Sequence, residues 1–127
     1  MKSPKIYYQI NPLTDGMPEV PAHFPGGLGA LNQFIHARST YIAKERGIII
    51  VSFLVNKNGE VEAPKITESL NAKCDREMLQ IISLMPDWTP ARNAGVIVPV
   101  QVNLPIIFDV ARNSVKTSTN IGQRAAA

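Results

Sequence analysis

The hydrophobic pattern changes period along the chain, and each change predicts a different element. Leu31, Phe34, Ile35, Tyr41 and Ile42 fall on one face at helical spacing, with Asn32, Gln33, His36 and Thr40 away from it. This predicts a first helix over residues 28–42. Arg38 lies inside that apolar stripe and reads as a snorkelling flank, its stem on the apolar surface and its guanidinium in water, rather than a functional cation. From Ile48 to Val55 the run IIIVSFLV is β-branched and apolar on both alternating faces except at Ser52, which predicts a central strand. Asn56-Lys57-Asn58-Gly59 supplies a type I turn with glycine in the left-handed position. Val61 to Thr67 returns as a second strand, and Pro64, which has no amide to donate, places it at an edge.

A second helix is expected over residues 75–85, with Asp75 as its N-cap, Pro86 as its stop and Cys74, Met78, Ile81, Ile82 and Met85 along its inner face. A turn with Trp88 and Pro90 follows. Every even position from Val96 to Val110 is then apolar, while the odd positions carry Pro99, Gln101, Asn103, Pro105 and Asp109 among them. That alternation predicts one long strand with a face on the core. Pro99 and Pro105 are an even number of residues apart, so their missing N–H groups lie on the same side. That side is expected to be an open sheet edge, which is a binding surface or an aggregation liability. Residues 1–27 are dense in Pro and Gly and read as extended or turning, with Ile6–Ile10 a candidate short strand. Residues 111–127 have few large apolar side chains and read as a solvated, flexible tail.

Composition narrows the chemistry. A chain of 127 residues with 45% hydrophobic and 18% charged residues is one ordinary folded domain. The net charge of +3, from 13 Lys+Arg and 10 Asp+Glu, is small and scattered, which argues against a nucleic-acid surface. Cys74 has no cysteine to bridge to and reads as a small buried hydrophobe; two histidines and one cysteine exclude a Cys/His metal site. No apolar run approaches the ~20 residues of a membrane-spanning helix, and the first residues lack the apolar stretch of a signal peptide. Serine-histidine-aspartate arrangements, paired-carboxylate signatures, phosphate-binding glycine loops and metal spacings are all lacking. His36 reads as a solvated helix residue and His23 as a loop residue. The expectation is therefore a protein that is not an enzyme, with no metal and no cofactor.

The order of motifs resembles the C-terminal domain of TonB, in the version common among Bacteroidetes, over about residues 17–110. The pieces are Met17-Pro18-Glu19 with Phe24-Pro25-Gly26-Gly27; Ala30-Leu31, Phe34-Ile35 and Tyr41; Gly47 leading into Val51-Ser52-Phe53-Leu54-Val55; and Asn56-Lys57-Asn58-Gly59-Glu60-Val61. They continue through Asp75-Arg76-Glu77, Met85-Pro86-Asp87-Trp88-Thr89-Pro90-Ala91, Gly95 and Leu104-Pro105-Ile106-Ile107-Phe108. The resemblance implies an α+β fold, two helices packed on a three-stranded antiparallel sheet, with the last strand at an open edge. Residues 1–16 would then be an extended lead-in, 17–110 the domain and 111–127 the tail.

It also implies a periplasmic protein-interaction domain of an energy transducer, which binds the TonB-box segment of outer-membrane receptors by strand addition and couples the proton-motive force to uptake. On this chain the partner strand would centre on Val100, Gln101, Val102, Asn103 and Leu104, with Val98 and Tyr41 beside it. Phe24, Pro25, Gly26, Gly27, Gly59, Trp88, Pro90 and Pro105 would be structural. Tyr41 is followed here by Ile42, where the family usually has proline. Partners implied are the receptors, the inner-membrane proton-motive complex through a missing N-terminal region that would attach the full-length protein to that membrane, and a second copy paired through the last strand. The alternative is the same fold used as a sensor or scaffold of a membrane signalling protein, or as a free periplasmic adaptor.

Overall fold

The computed structural model describes residues 18–39, 46–109, 114–117 and 121–125. Its elements are α1 (Gly27–Arg38), β1 (Gly47–Val55), β2 (Val61–Glu68), α2 (Ala72–Ser83), β3 (Ala91–Asn93), β4 (Val96–Val98), β5 (Val100–Asp109), β6 (Ser114–Thr117) and β7 (Gly122–Ala125). Among the described residues no helix is long and apolar enough to cross a membrane, and no cluster of His, Cys, Asp or Glu could hold a metal ion.

The run IIIVSFLV becomes the centre of an antiparallel sheet because both its faces can be covered. β1 pairs with β2 on one side and with β5 on the other, the second pairing unbroken from Gly47↔Phe108 to Val55↔Val100. In that register Ile49, Val51, Phe53 and Val55 share a face with Val100, Val102, Leu104, Ile106 and Phe108, and all nine are buried. Leu31 and Ile35 of α1 and Cys74, Met78, Ile81 and Ile82 of α2 complete the same core. Burying one large aliphatic or aromatic side chain contributes roughly 1.5–3 kcal/mol, so this face dominates the stability. The fold is thus α+β, two helices with a mainly antiparallel sheet, and the sheet has five strands rather than three.

Turn chemistry determines where elements stop. Gly27 N donates to Phe24 O at 2.8 Å, with Gly26 at φ 88 and ψ −2, a type II turn that launches α1. The helix ends at Arg38, where Ser39 Oγ donates back to Ile35 O at 2.7 Å. The expected residues beyond it, Tyr41 and Ile42 included, lie outside the described residues. Arg38 lies over the Phe34 ring at 3.8 Å and donates to Phe34 O, as a snorkelling side chain does.

β2 is the outermost strand on its side of the sheet; Ala63 at φ 49, one residue before Pro64, accompanies a register shift against β1. The second helix starts earlier than expected. Its cap is Asn71, whose side chain accepts from Cys74 N at 2.9 Å, and not Asp75. Asp75 instead accepts from Leu70 N and Ser69 Oγ, tying the preceding loop to the first turn.

The long strand expected over 96–110 is two elements. Ala94 and Gly95 both have positive φ, 50 and 79, and turn the chain so that β4 pairs back on β3 in a separate hairpin. Val96 is consequently 62% exposed. The strand that faces the core begins at Val100, after Pro99.

Candidate strand-binding edge

β5 is the strand on which partner addition was expected, and its neighbours decide what it can do. One side is committed to β1 from Val100 to Phe108. Along the other side lie two short strands of the same chain, end to end. Ser114–Thr117 pairs antiparallel with Ile106–Asp109, and Gly122–Ala125 with Val100–Asn103. The edge expected to be open is occupied, and the expected flexible tail supplies the strands that occupy it.

The outer pairing breaks at Leu104 and Pro105. Proline has no N–H to donate to an outer strand, so the interruption falls where the ladder would be weakest. No comparable break occurs toward β1, where Ile50↔Pro105 lies within a continuous register.

Two side-chain amides fix the short strands to the body of the domain. Asn32 Oδ1, on α1, accepts from Thr117 N at 2.7 Å and from Thr117 Oγ1 at 2.6 Å. Gln123 Oε1 accepts from Ala22 N at 2.8 Å, and Gln123 Nε2 donates to Ala22 O at 2.7 Å. Thr117 and Gln123 are buried polar residues, so these bonds satisfy groups that would be costly to leave unpaired. Val115, on β6, joins the hydrophobic core.

The segment that receives Gln123 is itself anchored. Val20 and Arg92 exchange main-chain hydrogen bonds, as do His23 and Thr89, all between 2.8 and 3.0 Å. Trp88 N donates to Gly59 O at 2.7 Å, and the Trp88 ring meets Phe24 and Phe53 edge-on, with centroids 5.9 and 5.4 Å away. Trp88 thus links Gly59, Phe24 and Phe53 in one contact set, with the Phe24–Gly27 turn beside it.

Residues singled out from the sequence take different places. Val100, Val102 and Leu104 point into the core, whereas Gln101 and Asn103 are half-buried on the other face of the sheet; Gln101 Nε2 donates to Ser52 Oγ at 2.6 Å. Val98 does not belong to this edge, because it pairs with Ala91 in the β3–β4 hairpin. Tyr41 lies outside the described residues. Asn32, Thr117 and Gln123 escaped sequence reasoning: the alternation of SVKT was the only local signal, and nothing local points Gln123 at Ala22, 101 positions away.

Residues 41–110 match the family model described as Gram-negative bacterial TonB protein C-terminal. That span is more than half of the 127 residues, and the chain belongs to this family. It is a TonB-like periplasmic domain involved in energy transduction, of a kind built for protein interaction rather than catalysis. No curated protein and no solved structure matches it.

Proposed function

We propose that the chain binds the TonB-box segment of outer-membrane receptors by strand addition at β5 and so links the inner-membrane proton-motive complex to active uptake. One observation supports this reading: the outer edge of β5 pairs with two short extended segments of the same chain, β6 and β7. A main-chain ladder of this kind gives affinity with little demand on sequence, and alternate side chains add selectivity. The domain would be attached to the inner membrane through an N-terminal region, since force on a receptor is transmitted only by a chain anchored at its far end. Pairing of two copies through β5 would compete with receptor binding for the same edge.

The test is a titration of the isotope-labelled chain with TonB-box peptides from receptors of the same organism. Amide shifts concentrated at residues 100–109 and 122–125 are expected. Absence of any perturbation at millimolar peptide would overturn the proposal.

A further inference from the structure

Asn58 is the one asparagine in the chain that is followed by glycine. Glycine puts no side chain in the way of its own main-chain nitrogen, so this is the step at which an asparagine most readily loses its amide. The reaction is intramolecular. Gly59 N attacks Asn58 Cγ; the N–Cγ bond forms, the Cγ–Nδ2 bond breaks, and the Gly59 amide proton and the departing NH2 leave as ammonia. A five-membered succinimide remains. Water then opens either of its carbonyls, giving aspartate or, where the chain now runs through Cβ, isoaspartate.

The closed turn forbids that attack, although Asn58 itself is exposed. Gly59 N donates to Asn56 O at 2.9 Å, which closes a four-residue turn. Among the described residues other than glycine only Ala63 and Ala94 have positive φ, so the turn is type I and not type II. The third residue of a type I turn has ψ near 0, which eclipses Gly59 N with Asn58 N and leaves it about 120° of rotation away from Asn58 Cβ. Ring closure needs Gly59 N and Cβ together on one side of the Cα–C bond. Three hydrogen bonds oppose the rotation: Asn58 N to Asn56 Oδ1 at 2.9 Å, Gly59 N to Asn56 O, and Trp88 N to Gly59 O at 2.7 Å.

We propose that Asn58 is a latent modification site: its amide is lost through the Gly59 succinimide only when this turn opens, and conversion to isoaspartate releases Gly59 from Trp88. An isoaspartate adds one carbon to the main chain beside Gly59. That residue has no slack, since even a Cβ built on it would stand 2.0 Å from Trp88 O. The Trp88 N bond is then lost at the residue whose indole joins Phe24 to Phe53. The site is independent of the partner proposed for β5.

The test ages the full chain in mildly alkaline buffer and follows the amide-to-acid mass gain at residue 58, with an isoaspartate-specific methyltransferase to report that product. A synthetic peptide of residues 54–62, LVNKNGEVE, is the open reference. Asn56→Ala removes the oxygen that accepts from Asn58 N and Glu60 N, and with it the exposed bonds to Glu60 and Glu62. Loss of about one to two net hydrogen bonds makes opening roughly tenfold more frequent. Amide signals of β5 and α2 as in wild type establish that the variant is folded.

The folded chain is expected to deamidate at least about tenfold more slowly than the peptide. In Asn56→Ala, deamidation and hydrogen exchange at Gly59 N should both rise by roughly tenfold. A folded chain that deamidates as fast as the peptide overturns the closed turn as the barrier, and so does a variant in which the two rates fail to rise together. The release is read on the purified isoaspartate form, where faster exchange at Trp88 N and red-shifted Trp88 emission are expected. Fresh Asn58→Asp carries the same charge on a main chain of ordinary length and is expected to match wild type. Exchange at Trp88 N that is unchanged in the isoaspartate form, or equally raised in Asn58→Asp, would overturn release by main-chain lengthening.

Discussion

Replacing Gly59 with alanine tests its contact with Trp88, because two separable costs meet at that residue. Its φ of +87 lies in the left-handed region, which costs a side-chain-bearing residue about 1–2 kcal/mol. A Cβ built there would also stand 2.0 Å from Trp88 O and 3.1 Å from Trp88 C. Those are main-chain atoms, so the two segments must separate. Separation strains the 2.7 Å bond from Trp88 N to Gly59 O, worth about 1 kcal/mol net. It also shifts the indole against Phe24 and Phe53, where each edge-on contact contributes about 0.5–1.5 kcal/mol. Together these give a loss of about 3–6 kcal/mol, a large part of the 5–15 kcal/mol typical of a domain.

Gly95→Ala is the matched control. Its φ of +79 imposes the same backbone penalty, but nothing lies within 4 Å of the added atom, so the expected cost is about 1–2 kcal/mol. Urea unfolding followed by circular dichroism and by the emission of Trp88, the only tryptophan, measures both. If the two substitutions cost the same to within about 0.5 kcal/mol, the Gly59–Trp88 contact is not what requires glycine, and the reasoning fails.

Asn32→Ala leaves Thr117 N and Oγ1 without their acceptor; a loss of about 2 kcal/mol is expected, with faster hydrogen exchange at residues 106–109 and little change in the β1–β2 ladder. Phe53→Ala empties the centre of the core at a residue with no exposed surface and should cost about 3–5 kcal/mol in chemical denaturation, with a red shift of Trp88 emission. Asn71→Ala removes the cap of α2 and should cost about 1 kcal/mol, whereas a loss below about 0.3 kcal/mol would show that the Asp75 contacts hold that end instead.

What was legible in the sequence followed from interactions close along the chain. IIIVSFLV read as a central strand because its apolar faces need cover on both sides, and Asn56–Gly59 read as a turn because Asn56 Oδ1 serves the amides of Asn58 and Glu60 and Gly59 adopts positive φ. The break at Pro99 was hidden by an apolar alternation that runs through it. Val96 and Val98 match the pattern but belong to a hairpin whose turn, Ala94–Gly95, carries only half of the usual glycine signal. Asp75 resembled a cap more than Asn71 because the apolar stripe begins at Cys74, while the helix begins before its stripe does. The C-terminal strands were least legible. β7 has no apolar pattern, and its partners, the β5 main chain and Ala22, are near it only in the folded chain.

The Ala22–Gln123 bonds span 101 positions, and this separation sets the order in which the chain is tied. Made alone in an unfolded chain, such a contact would cost about 4 kcal/mol in loop entropy; once β1, β2 and β5 have assembled, that length of chain is already drawn together and the cost largely disappears. The first and last described segments therefore meet where Ala22 and Gln123 pair, in the manner of a drawstring knotted after the bag is full. Undoing the knot frees the end of the chain without reopening what it encloses.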